Sequence, residues 1–426
     1  MKVRKEIVKS KYANELAQKI KQKTAIVGVI GLGYVGLPNV ITQNLHNYKV
    51  IGFDTDLKKV DLLNSGKSYI KDVSSDQIEE ILAEDMFYAT NDLSKISEVD
   101  IILIDLPTPL IEGTKLPDHS YIESAANTLC KHARSGQLII LESTVAPNTT
   151  RDLIVEKLRD KELFIAYSPE RISPNSDFDF SKLPRVVGAD DPNALKLASL
   201  FMGDHAHKVN SLLIAELAKL YENTFRFINI AFANDFAKFT HEMGVNANDV
   251  INAASSKPFG FMPFYPNSKI GGHCIPIDPY YLLNYAEEKY KNKNLLSIIE
   301  KAGKINDSMF DLTISRILKE NPKTVAIIGV AYKPDISDSR ESLGTQIAKT
   351  LSSKNIEVTI FDSIVYNSIT DRKVTYEHTN LETEHLDYEK LGDFDLVVVA
   401  LHHTTLNLQK VNQNSKRVID LVKDPI

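Results

Sequence analysis

The sequence predicts an α/β protein: two doubly wound parallel-sheet domains joined by a helical core with a long central helix. Three observations predict it. Short, almost continuously apolar runs alternate with helical stretches through the first half, the strand pattern vanishes over residues 208–305, and a second α/β alternation follows. A chain of 426 residues exceeds one typical core, and 43% hydrophobic with 25% charged residues is the balance of a folded chain, so several packed domains are expected.

Residues 1–22 read as a charged amphipathic helical extension without the apolar segment of a secretory signal. Residues 23–207 form the first α/β domain, with strands at TAIVGVIG (24–31), YKVIGFD (48–54), VDIILIDL (99–106), GQLIILEST (136–144) and ELFIAYSP (162–169). Right-handed crossovers make such a series doubly wound. Residues 208–305 form a helical central domain. Its opening run has neither Gly nor Pro before Gly244, so it reads as one long helix and as a dimer surface. Residues 306–426 form the second α/β domain, with strands at KTVAIIGVAYK (323–333), NIEVTIFD (355–362), FDLVVVAL (394–401) and KRVIDL (416–421).

A formal charge of -6 argues against a nucleic-acid surface, which needs clustered cations to displace counterions. No apolar run approaches the roughly 20 residues of a membrane helix, and the expected location is the cytoplasm. With two cysteines there is neither a disulfide framework nor a Cys-rich metal site, and no metal is expected. Cys130, in a helical stretch, reads as a small buried filler.

Gly31-Leu32-Gly33-Tyr34-Val35-Gly36 follows the first strand and opens a helix. The first glycine permits the tight turn, the second allows backbone to approach a pyrophosphate, and the third allows close helix–strand packing. The helix N-terminus then presents unpaired N–H groups to the phosphates. Asp54 ends the second strand 23 residues past Gly31, where an acid accepts from ribose hydroxyls and repels a 2′-phosphate, favouring NAD. The second α/β domain has only Gly329-Val330-Ala331 after its first strand, and no dinucleotide is assigned to it.

The second cysteine stands in Lys269-Ile270-Gly271-Gly272-His273-Cys274-Ile275-Pro276-Ile277-Asp278-Pro279. Two glycines before the thiol and prolines after it suit a nucleophile beside a ligand, while a buried structural cysteine remains the alternative. On the long helix Glu216, Lys219, Asn223 and Arg226 recur at spacings of 3, 4 and 3, forming one polar stripe among apolar neighbours. Such a stripe is either a solvated face or the wall of a charged site. In the second case Lys219 would favour the Cys274 thiolate, and Lys219 with Asn223 would donate to an oxyanion.

These segments, together with Leu106-Pro107-Thr108-Pro109, Glu142-Ser143-Thr144, Ser168-Pro169-Glu170-Arg171, Tyr332-Lys333-Pro334-Asp335 and Asp338-Ser339-Arg340-Glu341-Ser342, resemble the UDP-glucose/GDP-mannose dehydrogenase family from about residue 20 onward. The resemblance implies a Rossmann-like NAD domain, a helical dimerisation core and a C-terminal domain holding a UDP-sugar. It implies an NAD-dependent enzyme that oxidises a primary alcohol twice to a carboxylate, with a homodimer as the expected assembly. Carried over by position, Gly31, Gly33, Tyr34, Val35, Gly36, Asp54, Lys59, Thr108, Thr144 and Arg340 would hold the cofactor. Glu170, Arg171, Lys219, Asn223, Arg226, Phe264, Tyr265, Gly271, Gly272 and Lys333 would contact the nucleotide sugar.

The catalytic set so implied is Cys274, Lys219, Asn223, Asp278, Thr144 and Glu170. Cys274 would capture the aldehyde and carry a thioester, the base being Lys219 or water near Thr144 and Asp278, with Glu170 near the hydrolytic step. Glu170-Arg171-Ile172-Ser173-Pro174-Asn175 resembles the N-acetylhexosamine branch, and residues 259–266 look most like its UDP-N-acetylglucosamine members, with UDP-N-acetylmannosamine, UDP-N-acetylgalactosamine and UDP-glucose as the alternative sugars; a uronic product points to surface-polysaccharide synthesis. Departures from the family pattern are Asn39 in place of a small apolar residue, Asn148 and Asn175 in place of glycine, and Asn267-Ser268-Lys269 before the cysteine loop. A non-catalytic nucleotide-binding regulator is the alternative of another class, and it would not need Cys274, Lys219, Asn223 and Asp278 together.

Overall fold

The computed structural model describes residues 10–70, 72–111, 113–171, 183–272, 274–292, 294–339, 342–366, 373–376 and 379–425. They form two compact units. The first runs through Glu222 and takes in Tyr280–Tyr285, and the second holds Asn223–Pro279 and the chain from Ala286 onward.

The first unit is built on strands β1 (Ile26–Ile30), β2 (Lys49–Phe53), β3 (Phe87–Thr90), β4 (Ile101–Ile104), β5 (Leu138–Leu141), β6 (Phe164–Tyr167), β7 (Arg185–Gly188) and β8 (Ala206–Val209). Their order across the sheet is β3-β2-β1-β4-β5-β6-β7-β8, parallel throughout except where β6 meets β7. Alternate residues enter two separate cores. Val27, Val29, Ile101 and Leu103 face one, and Ile30, Ile102 and Ile104 the other, which is why these strands are apolar on both faces. The chain leaves β1 for β2 on one side and reaches β4 on the other, so a crevice opens at the carboxyl ends of β1 and β4.

A 31-residue helix, Leu212–Glu242, follows β8 as its uninterrupted sequence predicts, and the boundary between the units falls within it. The second unit continues with helices Ala247–Ala254, Asp278–Tyr290 and Ser297–Lys319. It then forms β9 (Thr324–Ile328), β10 (Glu357–Phe361), β11 (Lys373–Tyr376), β12 (Thr379–Glu384), β13 (Leu396–Val399) and β14 (Val418–Asp420), in the order β11-β12-β10-β9-β13-β14. This sheet is parallel apart from the β11–β12 pair, and it too is covered on both faces.

Three strands of the first sheet escape the sequence reading. β3 lies at one edge with alternating burial, β7 opens with an arginine, and β8 is an edge strand carrying a histidine and a lysine, so none shows a continuous apolar run. Cys130 is a correction. It is only partly buried at the margin of a core, where its Sγ donates to the Lys157 carbonyl at 3.4 Å. Among the described residues no helix is long and apolar enough to cross a membrane.

Candidate active site

In the first unit the expected residues gather at the carboxyl ends of the parallel strands. Gly31 has φ +93°, and a Cβ there would lie 2.6 Å from the Asp105 carbonyl oxygen. A Cβ on Gly36 would stand 1.8 Å from the Gly31 carbonyl oxygen, so both positions require glycine, whereas Gly33 faces open space. Val35 precedes the helix Gly36–Leu45, and Tyr34 packs beside the core. The Asp54 carboxylate accepts from the Leu32 N–H at 3.0 Å and the Asp56 N–H at 2.9 Å, with Lys59 Nζ 3.4 Å from Oδ2. The acid thus braces the glycine turn. A turn closed to side chains at Gly31 and Gly36 and open at Gly33, ending at an acid and a lysine, fits a dinucleotide with free ribose hydroxyls.

Beside it, Thr108 Oγ1 donates to the Thr144 carbonyl at 2.7 Å, and the Tyr281 hydroxyl donates to the Thr108 carbonyl. The loops after β4 and β5 are thereby tied together. The turn after β5 passes through Asn148 at φ +67°, a conformation asparagine tolerates better than most residues, which accounts for it where the family has glycine. Glu216 of the long helix is fully buried and accepts from the N–H groups of Asn148 (2.7 Å) and Thr150 (2.9 Å). Burial pushes its carboxyl up, and those backbone donors pull the other way.

Lys219, one turn on, donates from Nζ to the Glu170 carbonyl at 2.7 Å. Arg171 is drawn to Glu222, its Nε at 3.2 Å, and its N–H meets the Glu170 carboxylate at 2.6 Å. The Glu170 carboxylate also pairs with Arg185 at 3.1 Å. Arg185 was not singled out in the sequence, where it merely opens a short strand. Ile172, Ser173, Pro174 and Asn175 lie outside the described residues.

The remaining expected residues belong to the second unit. Asn223 donates its amide to the Asp278 carboxylate, and both side chains are buried. Arg226 is exposed. Three members of the polar stripe therefore have specific partners, which a solvated face would not need. Cys274 is exposed, and its carbonyl accepts from the N–H groups of Ile277 (3.0 Å) and Asp278 (2.9 Å), a turn that leads into the helix Asp278–Tyr290. Gly272 has φ +95°, and a Cβ there would lie 3.3 Å from the Tyr332 ring.

Two asparagines missed by the sequence reading fix this loop. Asn234 accepts from the Asn267 N–H at 2.7 Å, and Asn306 accepts from the Ile270 N–H at 2.8 Å. Lys269 reaches Gln346, and Ser268 is buried, so the departures at 267–269 are occupied by local contacts. Phe264 meets Phe225 edge to face at 5.8 Å, and the exposed Tyr265 donates to Asn252 at 2.8 Å. Gly271 and Lys333 are half-buried, while Arg340, Glu341 and His273 lie outside the described residues.

The second sheet repeats part of the first turn. Gly329 has φ +84°, and Asp362 at the end of β10 accepts from the N–H groups of Val330 (2.8 Å) and Ala331 (3.2 Å). No helix follows directly on this turn: residues 330–339 carry Tyr332 and Lys333 outside any helix, and the next described helix begins at Leu343, where the first unit goes from a tight turn straight into a helix. His403 holds this loop, accepting from the Asp335 N–H at 2.9 Å through Nδ1 and facing Asp362 at 3.0 Å through Nε2.

Three models of one family match the chain. The NAD binding domain of the UDP-glucose/GDP-mannose dehydrogenase family matches residues 25–202, its central domain 214–308 and its UDP binding domain 326–423. Similar proteins include a UDP-N-acetyl-D-mannosamine dehydrogenase of Methanocaldococcus jannaschii, 33% identical over 93% of this chain and 90% of the relative. A UDP-N-acetyl-D-glucosamine 6-dehydrogenase of Pseudomonas aeruginosa is 30% identical over 93% of this chain and 96% of the relative. Among solved structures, a UDP-N-acetylmannosamine dehydrogenase of Pyrococcus horikoshii superposes with a TM-score of 0.80 at 27% identity, covering 94% of this chain and 96% of that one.

Proposed function

Because the chain belongs to the UDP-glucose/GDP-mannose dehydrogenase family, we propose that it oxidises C6 of a UDP-N-acetylhexosamine to the carboxylate in the cytoplasm. The observation that carries this reading is the exposed Cys274 thiol on a loop fixed by Gly272, Asn234 and Asn306, in a chain with an NAD cradle. NAD+ supplies the acceptor for one hydride in each of two oxidations.

The chain's own groups supply the rest. A proton leaves O6 to Lys219 or to water as the alcohol becomes an aldehyde. The Cys274 thiolate adds to the aldehyde carbon, and the resulting hemithioacetal oxyanion becomes a thioester as C6 gives up its second hydride. Water then attacks the thioester carbon with Glu170 taking its proton, and the carbon–sulfur bond breaks to free carboxylate and thiolate. Asn223, oriented by Asp278, and Lys219 stabilise the tetrahedral oxyanion.

We take UDP-N-acetylmannosamine ahead of the UDP-N-acetylglucosamine that residues 259–266 suggest, since relatives named for the mannosamine compound include one at 33% identity over 93% of this chain. NADH formation measured with UDP-N-acetylmannosamine, UDP-N-acetylglucosamine, UDP-N-acetylgalactosamine and UDP-glucose tests both levels. Two NADH per sugar with one epimer supports the chemistry and names the sugar. Turnover with none of the four refutes the reading.

A homodimer is part of the proposal. Ile214, Tyr221, Phe225, Phe232 and Phe239 are exposed along the long helix at spacings of 7, 4, 7 and 7, an apolar seam suited to a second copy of the chain. Phe232→Lys should halve the mass measured by light scattering, and an unaltered mass places the contact elsewhere.

A further inference from the structure

The second sheet has a histidine at its ligand crevice that no step of the reaction uses. The chain leaves β9 for β10 on one side and meets β13 on the other, so the carboxyl ends of β9 and β13 flank a switch point, where open α/β sheets receive their ligands. The two strand ends come close together there: a Cβ on Gly329 would stand 2.7 Å from the Leu401 carbonyl oxygen. The segment after Gly329 carries Tyr332 and Lys333, and the segment after β13 carries His403 and Thr404.

These segments are joined at Asp335. Its N–H donates to His403 Nδ1 at 2.9 Å, while its carboxylate accepts from the Thr404 N–H at 2.9 Å and the Thr404 hydroxyl at 3.0 Å. Asp335 has φ +62°, a left-handed conformation that a residue with a Cβ keeps only where its surroundings fix it. A backbone N–H can only donate, so Nδ1 is the acceptor and the ring hydrogen stands on Nε2, which donates to Asp362 Oδ2 at 3.0 Å. Both His403 and Asp362 are buried. Asp362 also accepts from the N–H groups of Val330, Ala331, Ile364 and Val365. Five donors on one buried carboxylate make it a fixed post, and the imidazole spans from that post to the Asp335 backbone.

We propose that His403 is a positioning residue for nucleotide binding, which fixes Asp335 through Nδ1 and thereby sets where Lys333 meets a uridine diphosphate. The inference rests on the reading that Lys333 contacts the nucleotide sugar. Only Pro334 separates Lys333 from Asp335, and its ring locks one of the intervening dihedrals, so a backbone held at Asp335 is held at Lys333. The two bonds of the imidazole are unequal in consequence. Losing one donor of five leaves Asp362 satisfied, whereas losing Nδ1 removes an acceptor from the segment that binds.

The test is calorimetric titration of the full-length chain with UDP. His403→Ala should weaken UDP about tenfold, the worth of one hydrogen bond, with Thr404 still on the Asp335 carboxylate. His403→Asn puts an amide oxygen where Nδ1 stands and should stay within about threefold of the parent. His403→Gln keeps a donor for Asp362 and should be as weak as the alanine variant. NAD+ affinity should be parental in all three, and KM for the UDP-sugar should rise in step with the UDP dissociation constant while kcat holds. A lower melting temperature with parental UDP affinity in His403→Ala would make the histidine merely structural and overturn the proposal, as would rescue by Gln and not by Asn. Lys333→Met is the reference for the underlying reading. Parental UDP affinity in that variant removes the segment from the nucleotide site, and the inference falls with it; a loss there beside parental affinity in the His403 variants refutes the positioning role alone. Should His403→Ala fail to fold, the Asn and Gln variants, each keeping one of the two bonds, decide the matter between them.

Discussion

Asp54 braces the turn and faces the expected ribose site at once, so its removal should be read out in two ways. In Asp54→Ala the N–H groups of Leu32 and Asp56 lose their acceptor, and the ribose hydroxyls lose an ionised partner. A hydrogen bond to a charged group contributes about 1.5–3 kcal/mol, so NAD+ affinity should fall about 10- to 150-fold. Asp54→Asn keeps an oxygen for the Leu32 N–H and should lose about tenfold, toward the lower end of that range. Lys59, 3.4 Å from Asp54, stays behind in both variants as an unopposed cation. The discrimination against NADP+ should therefore narrow, because a 2′-phosphate meets a lysine and no carboxylate. Calorimetric titration with NAD+ and NADP+ measures both effects, with UDP binding as a check that the second unit is intact. Equal NAD+ affinities in the parent and the alanine variant would remove Asp54 from the site and refute the cofactor geometry.

Other expectations follow from the same structure. Cys274→Ala should abolish carboxylate formation, and Cys274→Ser should accumulate an ester seen as added protein mass; uronate formed at the parental rate by the alanine variant sinks the covalent mechanism. Glu216→Ala leaves two buried N–H groups unpaired at about 1–3 kcal/mol each, so denaturant unfolding should show a loss of about 2–6 kcal/mol, with Glu216→Gln retaining roughly half. Asp105, raised in the folded state by burial and by the Glu142 charge, holds a proton the unfolded chain has released, so its contribution to stability falls as pH rises from the usual carboxylate range toward its own titration. The neutral Asp105→Asn should lack that decline and gain on the parent by melting temperature as pH rises above the usual carboxylate range; a difference independent of pH would mean that Asp105 is ionised throughout.

What was legible in the sequence is what local chemistry dictates. Strands buried on both faces must be apolar throughout, so β1, β2, β4, β5 and β6 were visible, and a turn that leaves no room for Cβ must be glycine at Gly31 and Gly36. Edge strands such as β8 hydrogen-bond on one side and tolerate polar residues, so the same rule made them invisible. Asn234 was readable in principle. It lies 11 residues past Asn223, about three helical turns, so the polar stripe could have been extended to it by periodicity alone.

Asn39 and Asp105 belong to a different category. Each looks like an isolated polar residue where an apolar one would serve, one on a helix and the other at a strand end, 66 positions apart. Neither is explicable singly, since a lone buried amide or a lone buried acid is costly. Only the sheet order, which places β4 beside β1 and its following helix, turns two unfavourable substitutions into one hydrogen-bonded pair. The same order brings Arg185 and Glu142 into the group. A departure that sequence comparison marks as a defect is then one end of a hydrogen-bonded chain that reaches Glu170, and either end changed alone should be costlier than both replaced together by apolar residues.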